Sequence, residues 1–195
     1  YHSLEILAKH PRVDPERIVL MGFSRGGQAT LYASLDRFNK FWNKSGVQFA
    51  AYIPFYPDCS TSYLADTEVA ARPIRIFHGT PDDYNPVASC KAYVTRLQEA
   101  KRDVVLTEYP DSAHGFDAGL IGNNTVVEAT GSQTVRRCTI KEAEGGVLMN
   151  ASTQAPFSYK DVCVELGPHV GGNPATALEA RKAVSDFLQA LFKLG

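Results

Sequence analysis

Residues 22–27 read Gly-Phe-Ser-Arg-Gly-Gly, a G-x-S-x-G pattern placed between the apolar run Ile18-Val19-Leu20-Met21 and a helix-like stretch from Gln28 to Leu35. A serine hydroxyl is a weak nucleophile until a base removes its proton, and a histidine base in turn needs a carboxylate to fix its tautomer. A sharp strand-to-helix turn gives such a serine its position. The turn lifts the Ser24 hydroxyl clear of the strand end, and Gly22 and Gly26 are expected to leave room where backbone segments approach one another. The backbone N–H of Arg25 and of the first helical turn then faces the place where an oxyanion would develop. A glycine-rich turn with no chemistry is the competing reading of the same residues.

Two later segments bear on that choice. His78-Gly79-Thr80-Pro81-Asp82-Asp83-Tyr84-Asn85-Pro86 follows the apolar run Ile74–Phe77, and Tyr109-Pro110-Asp111-Ser112-Ala113-His114-Gly115-Phe116 follows Val104-Val105-Leu106. In folds that carry a G-x-S-x-G serine on a strand-to-helix turn, the acid and then the histidine come later in the chain, each at the end of a strand. Asp82 and His114 are the candidates. Asp83 is an alternative acid, but the G-x-x-D and D-x-x-x-P spacings favour Asp82, whose plain structural role would be a turn cap. His78 reads as a hydrogen-bonder beneath the acid loop, and His169 as a loop histidine before the last helix.

These residues need elements that hold them. The short apolar runs at 18–21, 47–55, 74–77 and 104–106 read as strands, and residues 2–9, 28–35 and 86–101 as helices, which together predict βαβ units with a mostly parallel sheet flanked by helices. Asn173 and Pro174 suit the cap and first turn of a final helix whose Val184, Phe187, Leu188 and Leu191 share a face. Residues 118–168 break the rhythm. Thr134–Ile140 and Val147–Asn150 flank Glu144-Gly145-Gly146 as a hairpin turn, Phe157–Val164 reads as a further strand, and the whole is expected to be an irregular or antiparallel excursion within one domain. It follows His114 directly, so a wall over the pocket lined by Phe116, Phe157 and Tyr159 and a decoration remote from the site are both open.

Composition removes several classes. Twenty Lys and Arg against 21 Asp and Glu give a formal charge of −1 over 195 residues, too balanced for a nucleic-acid or anionic-membrane partner. No apolar run reaches the length of a membrane span. Neither C-x-x-C nor H-E-x-x-H occurs, Asp58, Asp66, Asp82, Asp83 and Asp111 do not form a spaced metal loop, and no glycine-rich phosphate motif is present, so neither metal nor organic cofactor is expected.

With the serine turn at 22–27, the G-x-x-D-x-x-x-P loop at 79–86 and Ala113-His114-Gly115-Phe116 in place, the chain resembles the dienelactone hydrolase-like branch of the α/β-hydrolase superfamily. The resemblance implies an α/β-hydrolase fold with Ser24 as nucleophile, Asp82 as orienting acid and His114 as base. The namesake enzyme carries a cysteine at the turn. Ser24 therefore points to a serine esterase acting on a small-molecule carboxylic ester, with a peptidase of prolyl-oligopeptidase type and a non-catalytic binding protein on the same fold as rivals. Only 23 residues precede Ser24, whereas this fold places strands and a second oxyanion donor before it. Residues 1–195 are accordingly expected to be the C-terminal part of a longer domain, or to pair with a companion chain.

The four cysteines fall into two local sets, Cys59 with Cys90 and Cys138 with Cys163. Reduced buried thiols are the alternative, but two bridges, one near the active-site loops and one within the excursion, favour an extracytoplasmic compartment, periplasmic or secreted. Asn43, Asn123 and Asn150 head N-x-S/T sequons that would matter in a eukaryotic secretory setting.

Overall fold

In the computed structural model, which describes residues 1–118 and 125–194, the chain begins with α1 (His2–Ala8), β1 (Val19–Phe23), α2 (Arg25–Tyr32) and α3 (Asp36–Trp42). It continues through β2 (Ala51–Phe55), the two-residue β3 (Thr61–Ser62), β4 (Ile74–Gly79), α4 (Val87–Glu99) and β5 (Val104–Tyr109). Strands β1, β2, β4 and β5 form one sheet in that order, every pairing parallel. All five residues of β2 are buried, as a central strand covered on both faces requires. The register aligns Phe23 with Phe55, Phe55 with Phe77, and Gly79 with Tyr109. The loops that leave the four strands, beginning at Ser24, Tyr56, Thr80 and Pro110, therefore emerge along one edge, where ligands bind in open parallel sheets.

Alternation along the strands divides the core. Tyr52, Ile74, Ile76 and Val104 point to one side and pack with Leu4, Leu31, Tyr32, Tyr93 and Leu97 of the three helices there. Ile53, Phe55, Phe77 and Tyr109 point to the other and meet α5 (Pro174–Phe192) through Ala180, Val184, Phe187 and Leu188. The start of α5 is as the sequence suggests: the Asn173 side chain accepts from the Thr176 N–H and Pro174 opens the helix. α3 is not anticipated by periodicity, because Phe41 and Trp42 at its end lie in solvent rather than on a buried stripe.

From residue 125 onward the chain builds β6 (Val126–Glu128), β7 (Gln133–Thr134), β8 (Ile140–Glu142), β9 (Leu148–Asn150), β10 (Ala155–Pro156), β11 (Glu165–Leu166) and β12 (His169–Gly171). β8 and β9 pair antiparallel around Glu144-Gly145-Gly146, where both glycines take positive φ, so the hairpin turn lies where those residues predict it. The expected strand at Phe157–Val164 does not form. That stretch turns twice, Asp161 N–H donating to Ser158 and Val164 N–H to Asp161, and Cys163 is bridged to Cys138 beneath it. β-branched and aromatic content suggested a strand, but the turn-forming Ser158 and Asp161 and the cross-link decide the local path. A small core of Val135, Cys138 and Ile140, with Phe157 and Val164 against it, supports this region.

Both cysteine pairs are disulfides, Cys59–Cys90 closing 31 residues of separation and Cys138–Cys163 closing 25. Bridges over such spans contribute about 3 to 4 kcal/mol in the chain-entropy account. β3 pairs with β8 and so fastens the region to the loop after β2. Of the sequon asparagines, Asn150 is buried with its Nδ2 donating to Asp161, which leaves no room for a glycan in the folded chain. Asn43 donates to Asn39 and Val47, and Asn123 lies outside the described residues.

Candidate active site

Ser24 ends β1 and caps α2 with φ 52° and ψ −116°, a conformation that a non-glycine residue rarely adopts. Its N–H donates to the Phe55 carbonyl and its carbonyl accepts from Gln28, so both sides of the kink are held. A Cβ on Gly22 would stand 2.2 Å from the Gly26 carbonyl oxygen, and one on Gly27 would stand 2.4 Å from that of Phe55. Gly26 itself has nothing within 4 Å of such an atom. The crowded pair is thus Gly22 and Gly27, not Gly22 and Gly26 as the motif suggests; Gly26 is approached through its carbonyl, while its Cα faces open space. Arg25 is the first residue of α2, where a helix leaves its N–H groups without intrahelical partners.

The loop after β4 carries Asp82 and the loop after β5 carries His114. Gly79 is packed so tightly against Ser112 that a Cβ would fall 1.8 Å from its carbonyl oxygen, and this contact brings the two loops together. Asp82 Oδ1 accepts from the N–H of Tyr84 and of Asn85 at 2.9 and 2.8 Å, while Oδ2 accepts from His114 Nδ1 at 2.8 Å. With Nδ1 donating to a carboxylate, the Nε2 lone pair is free to accept, and Ser24 Oγ donates to it at 2.7 Å. Asp82 thus caps its own turn and accepts from the imidazole at once. Asp82 is 3% exposed and His114 4%, so the charge-assisted bond between them operates away from bulk water.

Aromatic rings complete the imidazole's surroundings. Tyr84 stacks on His114 with centroids 4.5 Å apart, and Tyr56 meets it edge-on at 4.7 Å while donating through its hydroxyl to Asp117. Burial, followed by that hydrogen bond and the Asp117 charge, drives the Tyr56 phenol far above its ordinary pKa. Neither tyrosine is singled out by the motif, although Tyr84, two residues beyond Asp82 in the same loop, stands where a side chain over the imidazole could be sought.

Asp83 points elsewhere. Its carboxylate accepts from Arg136 Nη1 at 2.7 Å and from both the N–H and Nδ1 of His169, at 2.7 and 2.9 Å. Burial works against its ionised form, but the His169 hydrogen bonds and the nearby charges bring its pKa below the usual carboxylate value. Arg136 also donates to Glu165, and Thr134 Oγ1 donates to the Tyr84 carbonyl. The residues after 125 therefore grip the acid loop through Asp83 and Tyr84. They also reach the residue after the serine: Arg25 Nη1 donates to the Tyr159 hydroxyl, whose residue is held in turn by Gln133 Nε2 at its carbonyl.

Of the three aromatic residues considered for the pocket wall, Tyr159 lines a cleft of about 120 Å3 beside Ser24. Phe116 does not; it is 1% exposed and packed among Phe55, Tyr56 and Tyr109 in the core. Phe157 stands behind Tyr159, its ring 5.4 Å away on the small core. Among the described residues, no group of three or more His, Cys, Asp or Glu side chains is placed to hold a metal ion, and no helix is long and apolar enough to cross a membrane.

The model of the dienelactone hydrolase family matches residues 1–130. No curated protein matches the chain. Among solved structures it is similar to the carboxylesterase Cest-2923 of Lactobacillus plantarum, at 18% identity over 58% of this chain and 52% of that one, TM-score 0.48. It is also similar to a propionate-bound thermophilic esterase of Thermogutta terrifontis, at 22% identity over 58% and 52% of the two chains, TM-score 0.46. An alpha/beta hydrolase enzyme from a Medee basin deep-sea metagenome library aligns at 20% identity over 59% and 47%, TM-score 0.44. The chain spans about half the length of these proteins.

His78 lies under this site as the sequence suggests, buried, with Nδ1 bonded to the Gly79 carbonyl at 3.0 Å and Nε2 unpartnered. Burial lowers its pKa from 6.5, against the pull of the Asp82 carboxylate. Below pH about 6.5 the unfolded chain takes up a proton at His78 that the folded chain resists, so stability declines with acidification through that window. Melting temperature is expected to fall between pH 7.5 and 5.5, and His78→Gln is expected to reduce the slope. Equal slopes for the two proteins would contradict the assignment.

Proposed function

The chain belongs to the dienelactone hydrolase family, and from that premise we propose that it is a serine hydrolase of carboxylic esters, with Ser24 as nucleophile, His114 as general base and acid, and Asp82 as the orienting carboxylate. The observation that carries this reading is the continuous line Ser24 Oγ to His114 Nε2 at 2.7 Å and His114 Nδ1 to Asp82 Oδ2 at 2.8 Å. Ser24 Oγ attacks the ester carbonyl as His114 Nε2 takes its proton. The tetrahedral intermediate then loses the alcohol, which receives that proton, and leaves an acyl-enzyme. Water, deprotonated by the same Nε2, attacks the acyl carbon; acid is released and Ser24 recovers its proton. The Arg25 N–H supplies one oxyanion donor, and such a donor is worth about 2.7 to 4 kcal/mol in the transition state. No step calls for a metal or an organic cofactor.

The open side of β1 supports a further part of the reading. Ser24 N–H and the Ile18 carbonyl both bond toward β2, so by strand alternation the N–H groups of Val19, Met21 and Phe23 face the edge that no strand among the described residues pairs. Met21 and Phe23 are 47% and 40% exposed there, and the adjacent groove is lined by Leu20, Met21, Phe38 and Trp42. An unprotected apolar edge of this kind favours pairing. A preceding segment or companion chain alongside β1 would cover it and bring the second oxyanion donor. The two disulfides support an extracytoplasmic site of action.

A fluorophosphonate probe is expected to label the native polypeptide at Ser24. Ser24→Ala is expected to abolish labelling and lower ester turnover by about 10^4 or more without unfolding; absence of Ser24-dependent labelling would sink the enzymatic reading. Hydrogen exchange on the same polypeptide is expected to find Val19, Met21 and Phe23 amides protected, and rapid exchange at all three would remove the covering segment. Mass spectrometry without reductant is expected to find both bridges; four free thiols would remove the argument for compartment.

A further inference from the structure

The cleft beside Ser24 has a composition that the hydrolase reading does not explain. Arg25, Gln28, Asp58, Tyr84, Gln133 and Tyr159 line it, and among the described residues Val135 is its one aliphatic contributor. Pockets for acyl chains or aliphatic alcohols are walled by apolar side chains, with a few polar groups to fix orientation. Here the proportion is reversed.

The polar groups retain unused capacity. Gln28 Nε2 donates to Asp58 Oδ2 at 3.3 Å, a long bond that a better acceptor could displace, and this leaves the Gln28 carbonyl oxygen available. Asp58 Oδ1 is engaged by the Ser60 N–H, so Oδ2 is the oxygen that faces Gln28 and the cleft. Arg25 commits Nη1 to the Tyr159 hydroxyl, which thereby accepts and keeps its own proton to donate. Gln133 anchors through Nε2 to the Tyr159 backbone and has its carbonyl oxygen to offer. The cleft thus offers both donors and acceptors, as hydroxyl groups that must both give and accept a proton require.

Charge narrows the class further. The Arg25 guanidinium and the Asp58 carboxylate both stand at the cleft wall, so the wall carries no formal net charge that would select an anionic or a cationic ligand. Tyr84 and Tyr159 add aromatic surface to the lining, which C–H groups of a pyranose ring can cover while its hydroxyls reach the polar atoms around them.

Resting on Ser24 as the nucleophile, we propose that this cleft binds the alcohol portion of the substrate and that this alcohol is a neutral polyol, so that the ester hydrolysed is an O-acylated sugar. The acyl C–O bond breaks as in the scheme above, and the sugar hydroxyl leaves with the proton from His114. Tyr159 and Gln133 line the cleft beside Ser24, and the region that carries them is held to the acid loop through Arg136 and Thr134, to the loop after β2 through β3, and within itself by Cys138–Cys163. That segment is therefore the specificity element of the site.

The test holds the acyl group constant and varies the alcohol, using the native polypeptide with mono-O-acetyl methyl glucoside, butyl acetate, anionic O-acetyl lactate and cationic acetylcholine. The acetyl glucoside is expected to exceed each of the others in kcat/KM by at least ~10-fold, because a site built of hydrogen-bonding groups rejects ligands that leave them unpaired. Gln133→Leu, an exposed position whose change spares the core, is expected to lower the ratio of glucoside to butyl ester by at least ~10-fold. Equal or better turnover of butyl acetate, or preference for O-acetyl lactate, with Ser24 still labelled by fluorophosphonate, would overturn the sugar assignment and leave the hydrolase reading standing. Saturation-transfer NMR of methyl glucoside with Ser24→Ala reads the cleft without turnover. Contacts there are expected, and their loss in Ser24→Ala/Gln133→Leu would support the same site; no contacts would overturn the assignment.

Discussion

Ser24 is held at φ 52° and ψ −116°, a backbone state that costs on the order of 1 to 3 kcal/mol for a residue with a side chain. It persists because the surroundings leave no alternative: β1 is paired along its length with β2, the Ser24 N–H is bound by Phe55, and α2 can begin at once only because Gly22 and Gly27 let backbone lie against backbone. The rest of the site is arranged around that kink. The shared register of the four parallel strands sets the loops of Asp82 and His114 on the same edge, and the contact of Gly79 with Ser112 closes the gap between them. A hydroxyl fixed in space meets an imidazole whose own position is set by a buried carboxylate and two tyrosine rings.

Much of this was legible because it depends on local requirements. Apolar runs of three or four residues mark β1, β4 and β5, and Gly22 is required once the serine turn is recognised, whereas the need for glycine at 27 and not at 26 depends on the approach of the Phe55 carbonyl from β2. The spacing preference for Asp82 over Asp83 picks the carboxylate that bonds His114, while Asp83 bonds Arg136 and His169. Family and fold class followed from the same three segments, and the match of the family over residues 1–130 agrees with them.

What escaped the sequence depends on tertiary partners. Phe116 next to the histidine loop looked available for a pocket, yet the core under α5 had space for one more ring and took it. Phe157–Val164 has the composition of a strand, but beyond the bond of the Phe157 N–H to Leu148 its turns are fixed by Ser158, Asp161 and the Cys138–Cys163 bridge. The clasp of Asp83 with Arg136 and His169 joins residues 53 and 86 positions apart, and no local pattern announces such a pairing. It matters because it positions Tyr159 and Gln133, the side chains that give the cleft its polar wall.

The central claim is that Asp82, and not its neighbour, orients the histidine that activates Ser24. Ester hydrolysis by Asp82→Asn and Asp83→Asn, measured as kcat/KM on the native polypeptide with p-nitrophenyl acetate, separates the two directly. The amide at 82 keeps the geometry but favours the wrong tautomer of His114, so activity is expected to fall by about 10^4, whereas Asp83→Asn, which touches only the clasp, is expected to retain activity within about 10-fold. Comparable losses for the two variants, or a larger loss for Asp83→Asn, would contradict the account.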